Sequence, residues 1–333
     1  MARIRWGILS TADIGRKKVI PAMQNSTITQ IMGIASRDSQ KAEKAAQELN
    51  IPRAFGSYKD LLASPEIDAV YIPLPNHLHV EWTIKALQAG KHVLCEKPIA
   101  MNAAEAQTLL QTAQQYPHLK VMEAFMYRFH PQWIQTLEWV RSGTIGDLTT
   151  IHTLFSYFKD DPDNIRNKPE TGGGGLMDIG CYPISLSRFL FESEPLRISG
   201  WMQYDSLLKV DRLTSAIMEF EDGTSTFTVS TQMAPYQRVW VFGRTGHVEI
   251  EVPFNASGDN PMNLLLEQNG KTHTIAIPAA NQYQLQGDAF SNAILENTPV
   301  PTPLQDAVNN MRVLDAVRSS HDNDEWQILK AEN

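Results

Sequence analysis

The sequence predicts two domains: a doubly wound α/β domain over residues 1–124 and an α+β domain with a large open antiparallel sheet over residues 125–333. In the first part, short apolar runs alternate with segments of helical period, a pattern typical of βαβ units and parallel strands. In the second part, period-two alternation and turn dipeptides prevail, which indicates antiparallel hairpins. The length of 333 residues also favours more than one core.

The first domain starts with two buried strands, IRWGIL and TQIMGIAS, separated by a helix within residues 13–25. A helix with the sequence SQKAEKAAQEL follows, capped by Asp38 and Ser39 and stopped by Asn50. Three more strands are predicted, IDAVYIPLP, KHVLCEKP and KVMEAF. The helices between them are NHLHVEWTIKALQAG, which Gly90 closes, and NAAEAQTLLQTAQQY. Right-handed crossovers would place these strands in one parallel sheet.

The second domain starts with the helix HPQWIQTLEWVRSG and continues with five long alternating segments. These segments are LTTIHTLFSYF, LRISGWMQYD, LTSAIMEFEDGTSTFTVSTQ, QRVWVFGRTGHVEIEVPF and NLLLEQNGKTHTIAI. Asp222-Gly223 and Asn269-Gly270 mark hairpins, so we expect about five or six strands. The helix GGLMDIGCYPISLSRFLF is embedded among them. A last helix is predicted over residues 304–320, and packing against the first domain is one arrangement open to it.

Composition and charge exclude several classes of function. The net charge is −8 and no basic stripe occurs, which argues against nucleic-acid binding. No run of about 18 apolar residues occurs that would span a membrane, and the N-terminus lacks the apolar region of a signal peptide. The only cysteines, Cys95 and Cys181, are expected to be reduced. These features predict a cytoplasmic protein.

The turn GILSTADIG, residues 7–15, lies between the first strand and the first helix. A dinucleotide fingerprint G-x-G-x-x-G would read here as Ser10, Ala12 and Gly15. These residues are small enough for a phosphate to approach the N–H groups of the helix, and the Ser10 and Thr11 hydroxyls add donors. A tight turn without a ligand is the alternative.

The end of the second strand reads ASRD, with Ser36, Arg37 and Asp38. A carboxylate about 20 residues beyond the fingerprint binds the ribose hydroxyls of NAD, whereas a guanidinium suits the 2′-phosphate of NADP. Arg37 therefore favours NADP over NAD. The alternative is a solvated arginine, with Asp38 as a helix cap or as the ribose acid.

Two further motifs follow strands at the same expected edge of the sheet. In PLPNHLH, Asn76 is expected to cap the next helix and to face the nicotinamide. The i, i+2 spacing of His77 and His79 does not place both on one helix face, so we predict no metal site. In CEKPIA, Lys97 stands between a strand and a proline and is expected near the cofactor ring. A surface Lys–Glu pair is the alternative.

The segment TGGGGLMDIGCYP, residues 171–183, combines four glycines with a carboxylate and a phenol. The glycines suggest that the backbone passes very close to a ligand or to another chain. Asp178 and Tyr182 are four residues apart and share one face of a short helix, which indicates substrate handling. The alternative is a capping or buried Asp178 and a core Tyr182.

The ordered motifs EKP, EAFMYRFHP and GGGGLMDIGCYP, with the long antiparallel sheet, resemble the glucose–fructose oxidoreductase / inositol dehydrogenase / MocA (Gfo/Idh/MocA) family. The resemblance covers essentially the whole chain and implies an N-terminal Rossmann domain. Because of MEAFMYRFHP and the tyrosine at position 182, it is similar to the branch of NADP-dependent xylose (aldose) dehydrogenases and dimeric dihydrodiol dehydrogenases.

The resemblance implies hydride transfer between nicotinamide C4 and a hydroxyl-bearing carbon of a sugar, of the aldose 1-dehydrogenase type. It assigns cofactor and substrate contact to Lys97, hydroxyl binding to Asp178 and proton transfer to Tyr182. It also implies that Arg37 holds the 2′-phosphate, and that the strand face of residues 151–277 forms a homodimer.

The predicted site therefore has three parts. The catalytic residues are Lys97, Tyr182 and Asp178. The cofactor-binding residues are Ser10, Thr11, Ala12, Ile14, Ser36, Arg37, Pro73, Asn76, His79, Glu96 and Lys97. The substrate-binding residues are Tyr127, Arg128, Asn164, Arg166, Asp178 and Tyr182.

Other functions remain open at this point. Polar residues at 160–170 favour a sugar, whereas Phe125, Tyr127, Phe129 and Trp133 are compatible with an aromatic trans-dihydrodiol. A keto-sugar to be reduced and a biliverdin-like ring are further alternatives. A non-catalytic dinucleotide sensor is a rival of another class. A sensor has no chemical need for Lys97, Asp178 and Tyr182 together, so the intact set favours an enzyme.

Overall fold

The computed structural model describes residues 2–329, which divide into two compact units. The first contains residues up to Met126 together with Asn281–Val308, and the second contains Tyr127–Ala280 together with the residues from Asn309 onward. The chain thus passes between the units three times, whereas the predicted boundary after residue 124 divides it once. Segment 281–308, predicted to lie in the second domain, is part of the first unit.

The α-helices are α1 (Ile20–Gln24), α2 (Ser39–Glu48), α3 (Tyr58–Ala63), α4 (His79–Gln88), α5 (Ala103–Ala113), α6 (Pro131–Arg141), α7 (Cys181–Phe191), α8 (Gln282–Leu295) and α9 (Leu304–Asn323). One-turn π-helices, Gly15–Val19 and Leu176–Gly180, precede α1 and α7. Helix α9 begins in the first unit and continues into the second. Within residues 2–329, none of these helices has the length and apolar character required for a membrane span.

The first unit contains a parallel six-stranded sheet. Its strands are β1 (Ile4–Leu9), β2 (Thr29–Ala35), β3 (Arg53–Phe55), β4 (Ala69–Ile72), β5 (His92–Cys95) and β6 (Val121–Glu123). Their order is β3-β2-β1-β4-β5-β6, and every neighbouring pair is parallel. This is the doubly wound order, in which the direction of winding reverses between β1 and β4. The predicted fold of this part is confirmed.

Helix α8 belongs to the first unit because its side chains complete the core beside β1. The Trp6 indole N–H donates to Ser291 Oγ over 3.2 Å, and the Trp6 and Phe290 rings lie 5.6 Å apart. Gly287 faces α1 so closely that a Cβ would lie 2.9 Å from Met23 Cγ. These contacts join residues almost 300 positions apart in sequence, which a local pattern does not reveal.

The second unit contains a nine-stranded sheet in the order β14-β13-β12-β11-β7-β10-β9-β8-β15. The strands are β7 (Leu148–Phe158), β8 (Arg197–Tyr204), β9 (Asp211–Glu219), β10 (Thr224–Ser230), β11 (Gln232–Gly243), β12 (Gly246–Ile250), β13 (Met262–Gln268), β14 (Lys271–Ile277) and β15 (Gln327–Ile328). The sheet is larger than the five or six strands predicted. All pairs are antiparallel except β10 and β7, which are parallel.

Both predicted hairpins occur, with different connections. Asn269 and Gly270 have φ angles of 54° and 70° and directly join β13 to β14, as the two-residue turn requires. The Asp222-Gly223 pair lies instead in a four-residue connection between β9 and β10. There the Phe220 N–H donates to the Gly223 carbonyl oxygen over 2.8 Å.

The two faces of the second sheet differ. Helix α7 packs on one face, where the Ser187 and Ser225 hydroxyls hydrogen-bond over 2.6 Å and Phe227 and Val229 are buried. The other face carries half-exposed side chains and a shallow depression of about 520 Å³. It is lined by residues from five strands that include His152, Trp201, Ile217, Thr226, Thr228 and Trp240.

Candidate active site

The predicted cofactor residues of the first unit lie at the carboxyl edge of the parallel sheet. Ser10 directly follows β1, and Pro73 directly follows β4. Ser36 and Arg37 follow β2, and Lys97 comes two residues after β5. Because parallel neighbours end at one edge, these positions surround the crevice where the winding reverses.

The turn after β1 keeps a glycine-like backbone although its first glycine position is occupied by Ser10. Ser10 has a φ of 140°, a conformation that side chains rarely adopt. Its Oγ accepts the Ala12 N–H over 3.0 Å, which leaves the hydroxyl proton available for donation. Thr11, Ala12 and Ile14 are partly exposed around it. The turn therefore presents small residues and donors.

Gly15 is less constrained than the sequence motif suggests. A Cβ at this position would lie 3.6 Å from Pro73 Cγ and 3.7 Å from Tyr71 Cε1. Both distances are ordinary van der Waals contacts, so the packing around this position does not require a glycine.

Asp38 acts as the cap of α2. Its Oδ1 accepts the N–H groups of Gln40 and Lys41 over 3.0 and 3.3 Å. Ser36 is buried, and its Oγ accepts the Asp38 N–H over 3.2 Å. Of the two alternatives for Asp38, the structure shows the helix cap.

Arg37 is exposed, and the sequence did not predict that Tyr58 lies near it. The Tyr58 phenol, at the start of α3, lies close enough to Ser10 and Arg37 for both residues to influence its pKa. Burial raises the pKa of Tyr58, and the Arg37 cation partly offsets this effect. Hydroxyl and guanidinium groups, the donor types that bind phosphate, thus lie near one another at the ends of β1 and β2.

The predicted roles of Asn76 and His79 need correction. Asn76 is the first residue of a 3₁₀ turn whose N-cap is Pro75, so it is not the N-cap of the following helix. His79 is completely buried, with Nδ1 2.8 Å from the Pro98 carbonyl oxygen and Nε2 2.7 Å from that of Leu74. Its ring joins the turn after β4 to the turn after β5, so the side chain is in the protein interior.

Burial decides the charge of His79. Two carbonyl acceptors favour the imidazolium, but burial outweighs them and, with the Lys97 cation, lowers the pKa of His79 to about 4. The ring is therefore neutral at pH 7 and donates to one of the two carbonyls. It connects the Lys97–Pro98 turn to the sheet without adding charge.

Glu96 and Lys97 are both half-buried, and Glu96 contacts the parallel sheet through its carboxylate. Glu96 Oε1 accepts the Tyr71 hydroxyl over 2.5 Å, and burial together with this carboxylate raises the pKa of Tyr71. Lys97 is half-buried, next to Pro98. Glu96 therefore anchors the turn that carries Lys97.

In the second unit, the four glycines make room for the chain itself. A Cβ on Gly173 would lie 2.5 Å from the Arg166 carbonyl oxygen. Gly174 has a φ of 114°, and its Cβ would lie 2.0 Å from Asp211 Oδ1. The glycine run predicted close approach to a ligand or another chain, whereas the groups that approach it within this chain are Asp211 and the backbone of residues 166–168.

Asp178 is the centre of a polar cluster. Its Oδ1 accepts Arg166 Nε over 3.0 Å, and its Oδ2 accepts the Tyr157 hydroxyl over 2.5 Å. The Asp178 carboxylate raises the pKa of Arg166, while burial and the same carboxylate raise that of Tyr157. Both partners thus keep their protons, and the Asp178 oxygens serve as acceptors.

Tyr182 lies in an aromatic environment one helical turn beyond Asp178. Its side chain is 6% exposed, with the rings of Phe254, Tyr127 and Phe155 centred 5.1, 5.8 and 5.9 Å away. Tyr182 also contributes to the raised pKa of Arg166, so the guanidinium is within electrostatic reach of the phenol. Tyr182 therefore packs in an aromatic cluster and also lies near the Arg166 cation.

The remaining substrate candidates have structural partners. Tyr127 is completely buried, and its hydroxyl hydrogen-bonds with Ser185 Oγ over 2.8 Å. The buried Arg128 donates to the same serine through Nη2, also over 2.8 Å. Asn164 Oδ1 accepts the Arg166 N–H over 3.1 Å. Tyr127 and Arg128 therefore stabilise the interior, whereas Asn164 shapes the loop of Arg166.

Tyr157 is a further member of this cluster that was not predicted, although the sequence contains a signal for it. Tyr157 is two residues after Phe155 on β7, so both side chains project from the same face of the strand. Phe155 contacts the Tyr182 ring, and Tyr157 continues along that face to Asp178.

Two family models match the chain. The model of the oxidoreductase family with an NAD-binding Rossmann fold, GFO_IDH_MocA, matches residues 4–125, and the GFO/IDH/MocA C-terminal domain matches residues 133–249. The chain belongs to the Gfo/Idh/MocA family of oxidoreductases. The predicted resemblance is confirmed.

Curated relatives of this Gfo/Idh/MocA member align over nearly its full length. It is 40% identical to an uncharacterized oxidoreductase, ORF334, of Rhizobium meliloti, over 99% of this chain and 100% of the relative. It is 36% identical to a D-xylose 1-dehydrogenase (NADP(+)) of Haloferax volcanii, over 95% of this chain and 96% of the relative.

Among solved structures, the 3-ketoreductase KijD10 from Actinomadura kijaniata, in complex with NADP and TDP-benzene, is similar with a TM-score of 0.89. The identity is 28%, over 96% of this chain and 98% of KijD10. The solved KijD10 structures include variants in which a lysine is replaced by alanine or glutamate and a tyrosine by phenylalanine.

Proposed function

We propose that this Gfo/Idh/MocA member is an NADP-dependent enzyme that transfers a hydride between nicotinamide C4 and a hydroxyl-bearing carbon of a sugar. The observation that carries the proposal is the cluster in which Asp178 accepts from Arg166 and Tyr157, one helical turn before Tyr182. A carboxylate, a guanidinium and phenols are the directional partners that sugar hydroxyls need. The names of the Haloferax and Actinomadura relatives support the same chemistry.

The residues at the carboxyl edge of the parallel sheet fit NADP. Ser10 and Thr11 offer hydroxyl donors beside a helix N-terminus, where pyrophosphate binds in doubly wound folds. The backbone of Ser10 is already in the glycine-like conformation. Arg37 and Tyr58 supply a cation and a hydroxyl for the 2′-phosphate. Bound NADP supplies the carbon that accepts or donates the hydride.

Tyr182 is assigned the proton transfer. In the oxidative direction the substrate hydroxyl loses its proton to the phenolate as the hydride leaves the same carbon, and reduction reverses both transfers. A free phenol has a pKa of about 10, and a nearby cation favours the phenolate. Arg166 is one such cation, and Lys97 is assigned the same role on the basis of the family resemblance. Asp178 is assigned the orientation of the substrate hydroxyl. Arg166 and Tyr157, which keep their protons, hold its carboxylate in place by donating to it.

Substrate turnover and single variants test this assignment. Tyr182→Phe and Lys97→Met should each lower kcat by about 10²- to 10⁴-fold, because proton transfer loses its donor or its stabilising cation. NADPH absorbance with a panel of aldoses, keto-sugars and trans-dihydrodiols is the measurement. Tyr116→Phe and Lys41→Met, outside the proposed site, are matched controls.

The outcome also separates the rival functions. Turnover of dihydrodiols but not of sugars would show that the substrate is an aromatic diol rather than a sugar. NADPH binding without turnover of any panel member would support a non-catalytic sensor. Unchanged kcat in Tyr182→Phe would remove that residue from the reaction.

We also propose a homodimer formed through the open face of the nine-stranded sheet. Trp201 is 54% exposed on this face, beside Trp240 and Ile217 in the shallow depression. Exposed apolar patches with polar neighbours are typical of protein–protein contacts. In such a dimer, a twofold axis places the same face of the second copy against this one.

A further inference from the structure

Asp211, at the start of β9, is a buried carboxylate that the proposed reaction does not use. Asp211 is only 5% exposed. Its Oδ2 accepts the Leu176 N–H over 2.6 Å and the Thr214 hydroxyl over 2.7 Å. Leu176 is the first residue of the π-helical turn that leads to Asp178 and Tyr182. The carboxylate therefore holds the N-terminal end of that turn.

The other oxygen of Asp211 faces the glycine loop. The position of Gly174 leaves no space for a side chain, since an added Cβ would lie 2.0 Å from Asp211 Oδ1. The Gly174 N–H donates to the Arg166 carbonyl oxygen over 2.8 Å, and its own carbonyl accepts the Asp178 N–H over 3.0 Å. One glycine thus connects the backbones of the two residues that form the ion pair.

We propose that Asp211 is a positioning residue that fixes the glycine loop so that Arg166 and Asp178 meet in the substrate-binding cluster. This inference rests on the proposed function, because it concerns the same cluster. Asp211 touches neither side chain of the pair and acts through Gly174 and Leu176. The small residues at 173–175 are then explained by the carboxylate and the loop that pack against them.

The charge of Asp211 adds a pH dependence. Burial raises its pKa to about 6, and the Thr214 hydroxyl, the Leu176 N–H and Arg318 of α9 only partly oppose this. The Asp211 charge also contributes to the raised pKa values of Tyr157 on β7 and Tyr204 on β8, so both phenols lie near it. The folded-state pKa lies above the ordinary value of 3.8, so the stability that Asp211 contributes is present below pH 3.8 and lost as the pH rises through 6.

Three variants of the full-length protein test the proposal. Asp211→Ala should lower kcat/KM for the sugar by about 10- to 100-fold through misplacement of the cluster, with the Kd of NADPH unchanged. Asp211→Asn should restore most of this loss, since an amide oxygen still accepts from Leu176 and Thr214, and should lack the loss of stability between pH 3.8 and pH 6 that the Asp211 charge causes in the wild type. Thr214→Val, which removes one donor, should change kcat/KM in the same direction with the fold retained. Asp222→Asn, an exposed carboxylate, is the control.

A crystal structure of Asp211→Ala gives a readout independent of activity. Separation of Arg166 Nε and Asp178 Oδ1 beyond the present 3.0 Å is expected. An unchanged ion pair in this variant, or in Thr214→Val if Asp211→Ala does not fold, would overturn the positioning role. Lack of turnover by the wild type, with the pair lost in the variant, would refute the proposed function alone.

Discussion

At the scale of single residues, Ser10 shows how a side chain can replace a fingerprint glycine. A φ of 140° costs a non-glycine residue on the order of 1–3 kcal/mol. The Ser10 hydroxyl offsets part of that cost by accepting the Ala12 N–H inside the turn. The motif G-x-G-x-x-G therefore describes a backbone shape, and serine can adopt that shape where its hydroxyl has a local partner.

Arg37 should determine the preference for NADP. Its exposed guanidinium lies beside the Tyr58 hydroxyl. Arg37→Ala is expected to raise the Kd of NADPH by about 10- to 100-fold, since a charge-assisted pair is lost, and to leave the Kd of NADH nearly unchanged. Fluorescence titration with both nucleotides measures this, with Lys41→Ala on the same side of the unit as the control. Equal weakening of both nucleotides would contradict the assignment.

The sequence predicts individual residues of the proposed site better than the contacts between them. Asp178, Tyr182 and Arg166 were identifiable because residue type, helical spacing and a polar loop suggested them. Tyr157 and Asp211 come from distant strands, and their meeting with this segment depends on sheet register. A single sequence contains no direct record of such register. Tyr127 and Arg128, in contrast, resembled site residues but have partners in the core.

At the scale of elements, the glycine loop before the π-helical turn should tolerate no side chain. Gly174→Ala is expected to destabilise the second unit by about 3 kcal/mol or more, because backbone strain adds to overlap with Asp211. Chemical denaturation followed by circular dichroism measures the free energy of unfolding.

Gly143→Ala separates the two causes. Gly143 also has a positive φ, 69°, but nothing lies within 4 Å of its added Cβ. It should lose only about 1 kcal/mol, from backbone strain alone. An equal decrease in the free energy of unfolding of the two variants would show that overlap with Asp211 does not contribute to the destabilisation.

Long, strongly periodic elements were predictable, whereas short or irregular ones were not. Helices α2, α5, α6 and α9 were predicted from apolar periodicity, and α2 and α5 also begin at the typical caps Asp38 and Asn102. Strand β3 and helix α3 escaped prediction because three and six residues contain too little pattern. Helix α8 is longer, but its buried face includes Gln282, Gln286 and Ser291, which gave no apolar stripe. Burial of polar residues by distant partners is a tertiary effect.

At the scale of the whole molecule, the proposed dimer predicts a sensitive tryptophan. Trp201→Asp should convert the dimer to a monomer, because a charge would be buried without a partner at the interface. Sedimentation equilibrium measures the mass in solution. Leu207→Asp, at a side chain that is 87% exposed and outside the depression, is the control. A monomeric wild type, or a dimeric Trp201→Asp variant, would refute the interface.

The return of the chain to the first unit also affects the order of synthesis on the ribosome. Trp6 is translated before the nine-stranded sheet, whereas its core partners Phe290 and Ser291 are translated after that entire sheet except β15. Part of the apolar surface of the nascent first unit therefore stays uncovered until α8 has been synthesised. A gene fragment that ends near residue 126 would encode a sheet without this covering helix.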